Sequence, residues 1–463
     1  MILNIIAGVK WCNIYITNNS YHHKYFNMKI YSIAILSILL AVVFLNCTKK
    51  DQVVAVTTTN TTDLVAYKTS SAPVIDGTID AIWDNAQKLA ITPTVPDAGN
   101  GLFAGYIGQK FPATLRSMYD GTSIYFLAEV PDDQKNIKSS PWYFNTTTKL
   151  WAQEPTAKTF DANGVLTREG FGEDKFAMLW NVDNSTPKFS TQTCYASCHV
   201  FTPYLDYSVT PAVLKSNAAS GNHYTNGADE KIDMWWGHPN RGFAFNKMDD
   251  NYQDWAGGPA ITNLTGGNGN GRHFDDLVVS STSATWPFRP VYTADATQGS
   301  ISNRQSLKLN GTGTTVTVPL WVIPNSTDDF IKASDTLAGG AAVKITAISS
   351  DGVLTFADGT IDPNISTDYQ RLGSSANSEV GAKCFPGNIV APVNNGRADI
   401  DMVAIYTGTG WIYEYKRLLK TNDVLKQDID FSSLEDQPFG FAIWDKSNYQ
   451  HGIQPNLMLK FQK

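Results

Sequence analysis

The segment Gly410-Trp411-Ile412-Tyr413-Glu414-Tyr415-Lys416 puts three aromatic rings on alternate residues, with Ile412 and Glu414 between them. A period of two is that of a β-strand, whose successive side chains point to opposite faces, so this segment is a strand with one aromatic face. Such a face packs into a sheet core or, in a sharper reading, stacks on sugars. The same short, turn-bounded pattern recurs at Ser123–Val130 after Asp120-Gly121, at Phe176–Trp180 after Gly172-Glu173-Asp174, at Ile400–Tyr406 and at Phe439–Trp444. Strands at this spacing predict an all-β chain, an antiparallel β-sandwich of immunoglobulin-like or jelly-roll-like layers with a few short helices.

Composition agrees. Of 463 residues, 12% are aromatic and 17% charged, with 35 Gly and 21 Pro, a poor mixture for long helices. Net charge is −7 and no stripe of Lys or Arg is present, which excludes the electrostatic footprint of a nucleic-acid partner.

The N-terminal region reads as an address. Met28-Lys29 precedes an apolar run from Ile30 to Leu45, too short for a comfortable membrane span and matched to a secretory signal, which makes Met28 the expected start. Cys47 follows directly, as in a bacterial lipoprotein signal, although Phe44 and Asn46 depart from the usual residues. An ordinary cleaved signal or an uncleaved anchor is the alternative. The expected product is an extracytoplasmic lipoprotein, periplasmic or on the outer membrane or cell surface, held to the membrane by lipid on Cys47. Removing residues 1–46 takes away Lys10, Lys24 and Lys29 and no acid, leaving 33 basic against 43 acidic residues, net −10. Residues 47–70 are Thr/Asn-rich and aperiodic, as a lipid-anchored tether would be. The folded domain is expected over 71–463, with a loop-rich insertion at about 254–384 that contains a hairpin around Ser350-Asp351-Gly352.

Thr193-Cys194-Tyr195-Ala196-Ser197-Cys198-His199 carries the chemistry. Two thiols ahead of a histidine suit c-type haem attachment, with thioethers from Cys194 and Cys198 and an axial nitrogen from His199. Three residues separate the cysteines where two are usual, so a Cys194–Cys198 disulfide or a Cys/Cys/His metal site stays open. Beyond His199, the histidines after Cys47 are His223, His238, His273 and His451, and Cys384 stands apart from the motif. Residues 221–238 bring His223, Lys231, Met234 and His238 near the motif in sequence, beside Trp235 and Trp236 as candidate cofactor walls. Among these, His223 is the expected iron ligand, with Met234, Lys231 and His238 as alternatives. Acid pairs such as Asp249-Asp250 and Asp275-Asp276 read as solvated turns or a calcium site. No nucleophile elbow, phosphate loop or zinc-protease pattern is present, so catalysis of its own is not expected.

Several segments in order resemble the haem-binding domain related to the gamma subunit of ethylbenzene and dimethylsulfide dehydrogenases. They are Val74–Trp83, Asp174–Asn181, Cys194–His199, Tyr224–Gly227, Asp233–Trp236, Gly410–Thr421 and Phe441–Asp445. The first of them is also similar to family 9 carbohydrate-binding modules. The resemblance implies a β-sandwich with one haem in an edge pocket, serving electron transfer. In the gamma subunits the haem is b-type with Met and Lys ligands; the cysteine pair favours a c-type relative. The expected partner is a redox protein. Two other functions remain open: a cell-surface carbohydrate-binding module using Trp83 and the aromatic face, and a haem subunit of a larger oxidoreductase.

Overall fold

A computed structural model describes residues 62–97, 103, 105–156, 158–163, 165–168, 170–197, 204–206, 213–215, 223–225, 229–254, 272–275, 279–282, 290–292, 297–325, 330–370 and 384–463. Residues 1–61, with Cys47, and both Cys198 and His199 lie outside the described residues. No helix among the described residues is long and apolar enough to cross a membrane.

The fold is an all-β sandwich made by one large sheet that curls back on itself. Its strands are β1 (Asp63–Lys68), β2 (Leu89–Ile91), β3 (Ala113–Tyr119), β4 (Ser123–Pro131), β5 (Glu173–Asn181), β6 (Ile232–Gly237), β7 (Asp249–Gln253), β8 (Arg272–Phe274), β9 (Asp401–Tyr406), β10 (Gly410–Leu418), β11 (Gln437–Ser447) and β12 (Gly452–Phe461). The order is β8-β7-β6-β5-β11-β12-β1-β3-β4-β10-β9, with β2 paired to β3. All pairings are antiparallel except those of β1, which runs parallel to both β12 and β3. The tether expected to reach residue 70 therefore gives way at Asp63 to a central strand. DLVAYK alternates in burial, with Leu64 and Ala66 fully buried, but it is too short to stand out from the Thr-rich stretch before it.

Curling is visible in the core. Phe126 of β4 lies 5.7 Å from Trp235 of β6 and 6.0 Å from Trp180 of β5, and Phe176 of β5 lies 4.5 Å from Tyr413 of β10. These strands are far apart in the sheet order, so their contact requires the two halves to face one another. The ends of the sheet also meet: Met248 N–H donates to the Ile400 carbonyl at 3.1 Å, and Met402 N–H to that of Asn246 at 3.0 Å.

Strand β10 shows why its alternation specifies register. Trp411, Tyr413 and Tyr415 face the core at 3%, 2% and 0% exposure, while the opposite face carries Ile412 and Glu414. Glu414 receives hydrogen bonds from Trp83 Nε1 at 2.9 Å and from Gly77 N–H at 2.7 Å, fastening Val74–Trp83 to the outside of the sheet. Trp83 is fully buried there against Met118, Tyr125 and Leu127. None of these four aromatic residues is available to stack on a sugar.

The insertion builds a second apolar core. Val318, Val322, Ile345, Ile348, Leu354, Ile361 and Phe385 pack on Trp142, Phe144 and Trp151 from the hairpin Trp142–Asn145 and Leu150–Gln153. The hairpin read at Ser350-Asp351-Gly352 is present, pairing Ile348 with Leu354 around Gly352 at φ +83°. The single α-helix among the described residues is the four-residue Phe189–Gln192.

Candidate functional site

Pleating divides the strands around the sharpest motif into two faces. On β5, Phe176, Met178 and Trp180 enter the core, which turns Ala177 and Leu179 outward; on β6, Trp235 enters the core and Met234 and Trp236 turn outward. Register then aligns the outward set: Met234 and Gly440 flank Leu179, and Trp236 and Ala442 flank Ala177. Small residues at Ala177, Gly440 and Ala442 leave a depression, walled by Met234, Trp236 and Trp444.

The turn carrying Cys194 closes one side. Thr193 takes φ +47°, its Oγ1 accepts from Asn456 N–H at 2.8 Å, and its methyl group lies where a side chain at Gly440 would stand, 2.6 Å from a Cβ built there. Gly440 is thus needed for the turn to approach the sheet. Tyr224 N–H donates to the Ser197 carbonyl at 2.9 Å and brings the His223 segment to the same rim.

The resulting depression takes in about 940 Å³ of space between atoms, a figure that includes open solvent at its mouth. Cys194, Ser197, His223, Met234, Trp236, Gln253, Arg272, Trp444, Tyr449 and His451 are among its lining residues. Three buried polar atoms of that lining, Ser197 Oγ, Trp236 Nε1 and Gln253 Oε1, have no hydrogen-bond partner among the described residues. Buried polar groups are normally satisfied, so three orphans on one cavity call for partners there, from a ligand or from water.

Of the residues singled out from sequence, the cavity joins Cys194, His223, Met234 and Trp236. Trp235 is not a wall: it is fully buried on the opposite face, among Trp180, Tyr415 and Phe431. His238 also lies off the cavity, its Nδ1 3.3 Å from Glu173 and its ring edge-on to Trp236, and burial holds its pKa well below the usual histidine range. Lys231 is likewise committed elsewhere, donating from Nζ to the Leu425 carbonyl at 2.7 Å.

Sequence reading missed His451, Trp444, Gln253 and Arg272 as site residues. His451 arrives from the β11–β12 hairpin, more than 250 residues after Cys194, and no local spacing signals it. Its Nδ1 is 2.6 Å from the Tyr449 carbonyl, which fixes the proton there and leaves the lone pair on Nε2. Its ring stacks on Trp444 at 4.3 Å, and burial lowers its pKa to about 4, so the imidazole is neutral at physiological pH. Gln253 Nε2 sits 3.5 Å from the Met234 sulfur, and Arg272 lies 4.6 Å over Trp236.

A second group of acids sits apart from this cavity. Asp174, buried, is pushed up to about 8 by burial and then by Asp132, against hydrogen bonds from Asn136 and Lys446 N–H; Asp132 is raised to about 7, chiefly by burial. Folded-state pKa values above the unfolded one mean that the native state holds protons the unfolded chain has released. Unfolding free energy should therefore fall as pH rises from about 4 to 8. Denaturant titrations should show this slope in the wild type and a shallower one in Asp174→Asn; equal slopes would refute it.

Comparison with known proteins follows this geometry. None of the curated proteins matches the chain. Two solved structures are loosely similar, both a family 9 carbohydrate-binding module from Caldicellulosiruptor kristjanssonii. With glucose it gives 9% identity, TM-score 0.23 and coverage of 86% of this chain and 94% of that one; with cellotriose, 9%, 0.24, 86% and 93%. Likeness this loose says nothing about a ligand. The ethylbenzene dehydrogenase family profile matches residues 80–455, which include the strands and turns that build the cavity, and the chain belongs to that family.

Proposed function

We propose that this chain is an exported haem protein, tethered by lipid on Cys47, that passes single electrons to a redox partner protein. The observation that carries the reading is the cavity itself, where a thiol (Cys194), two imidazoles (His223, His451) and a thioether (Met234) line one depression. These are soft and borderline donors suited to haem iron, and the set lacks the carboxylates that a hard cation requires.

In this reading Cys194 and Cys198 would hold the haem covalently and His199 would supply a nitrogen ligand to its iron; b-type binding without the thioethers is the simpler variant. The bound group would supply one-electron iron chemistry. The remaining roles belong to the protein. Trp236 and Trp444 shield the cavity from water, and half-buried Arg272 offers a cation for a carboxylate side chain of the cofactor. His451 is a better-organised ligand than His223 or Met234, because a carbonyl already holds its other nitrogen and an indole supports its ring. Redox potential would be set by that ligand, by burial and by the orphaned donors.

The test is a pyridine haemochrome spectrum of protein produced together with a haem-c maturation system. A c-type α-band that survives acid–acetone extraction is expected, and the haem should become extractable in the double variant Cys194→Ala/Cys198→Ala, which can form no thioether. Absence of any haem absorption would overturn the reading. Co-purification with a molybdenum-containing subunit would instead make the chain part of a larger oxidoreductase.

A further inference from the structure

On the inner face of β6 and β7, opposite the cavity, four carboxylates come together from separate segments. Asp233 shares its face with Trp235, and Asp250 is paired in register with Trp235. Asp275 follows β8, and Asp428 comes from the segment between β10 and β11. Their exposures are 0%, 0%, 5% and 8%. One ligand oxygen each from Asp233, Asp250 and Asp428 lie within 4.8 Å of one another.

Among the described residues the buried cation here is Arg417, whose Nη1 donates to Asp233 Oδ2 at 2.9 Å and stays 4.0 Å from Asp428 Oδ1. Trp235 Nε1 and Ile429 N–H complete the bonding of Asp233 Oδ2. What remains is a second observation: Asp233 Oδ1 and Asp250 Oδ2 are buried and have no hydrogen-bond partner among the described residues, while the Asp275 and Asp428 carboxyl groups share one hydrogen bond. With all four acids ionised, one guanidinium would leave three negative charges uncompensated, and burying unpaired charge is among the most costly arrangements a fold can hold. Burial first, and then repulsion from the neighbouring acids, push Asp250 and Asp275 well above the usual carboxylate range.

We propose that Asp233, Asp250, Asp275 and Asp428 form a structural calcium site that fastens the 423–430 segment to β6 and β7. An all-oxygen, carboxylate-rich set selects a hard divalent cation. Enclosure favours Ca²⁺ over Mg²⁺, which gives up its water reluctantly. The site lies on the other side of the sheet from the haem cavity and owes nothing to that reading.

The test uses the full chain. Calcium content is measured before and after stripping with EDTA, and thermal unfolding is then followed with CaCl₂ or with EDTA. Ca²⁺ should raise Tm by about 5 °C or more. Asp250→Asn, which preserves shape and removes one charge, should be insensitive to Ca²⁺ and, in EDTA, melt above the wild type because one repulsion is gone. Haem content should be the same in both proteins. Wild-type protein that contains no calcium and melts at one temperature in EDTA and CaCl₂ would overturn the proposal and leave the acids neutralised by protons. So would an Asp250→Asn variant that responds to Ca²⁺ as the wild type does.

Discussion

Trp235→Ala should lower the unfolding free energy by about 3–5 kcal/mol, the range for removing a fully buried large aromatic residue. Its neighbour Trp236 should behave differently, because adjacent residues of β6 serve opposite faces of the sheet. Trp235 packs 5.2 Å from Trp180 and 5.7 Å from Phe126, and the Arg417 guanidinium lies 4.9 Å over its ring. Alanine there opens a void between the two halves of the sandwich. Trp236 instead borders a cavity that already exists, so Trp236→Ala should keep most of the stability and weaken haem retention. Urea denaturation and haem-to-protein ratios measured on both variants separate the roles; a similar stability loss in both would contradict the division of faces.

His451→Ala should convert a low-spin haem spectrum into a high-spin or water-ligated one. His223→Ala and Met234→Leu should leave it low-spin. Loss of a rigidly held imidazole removes the iron's strong-field nitrogen, whereas the Met234 sulfur faces Gln253 Nε2 and gives a weaker, higher-potential ligand. Because burial depresses the His451 pKa to about 4 and iron would compete with the proton for Nε2, ligation should persist through mildly acidic pH. Optical spectra and redox titrations across pH report both effects. Low-spin bands that survive His451→Ala and vanish in His223→Ala would return the ligand to the residue the sequence favours.

The aromatic alternation of β10 and the paired apolar runs of β5 and β11 made the sandwich legible, since burial on one face imposes a strict period of two. Legibility failed where pairing is long-range. Asp63–Lys68 gains its place only from partners at the far end of the chain, so local composition reads it as a tether. In the site, Cys194 and Met234 were legible from the motif and its neighbourhood. The Trp235-Trp236 pair could not be assigned to faces until register with β5 was known. His451 depended on the β11–β12 hairpin, and Asp250 and Asp275, read as solvated turns or a calcium site in a Gly- and Asn-rich sequence, are buried because β6, β7 and β8 are paired.

Strand β1 also governs the order of assembly. Asp63 pairs with Met458, and closing a loop of that length in a disordered chain would cost about 5 kcal/mol of entropy before any contact rewarded it. The intervening strands shorten that path only once they are themselves paired, so β1 enters late, as the strand that joins β12 to β3. Until it does, both neighbours present open hydrogen-bonding edges side by side, a gap that a strand from another molecule fits as well. Synthesis, truncation or proteolysis that separates the first strand from the last would therefore leave a nearly finished sheet with a slot through its middle, prone to exchange strands between copies.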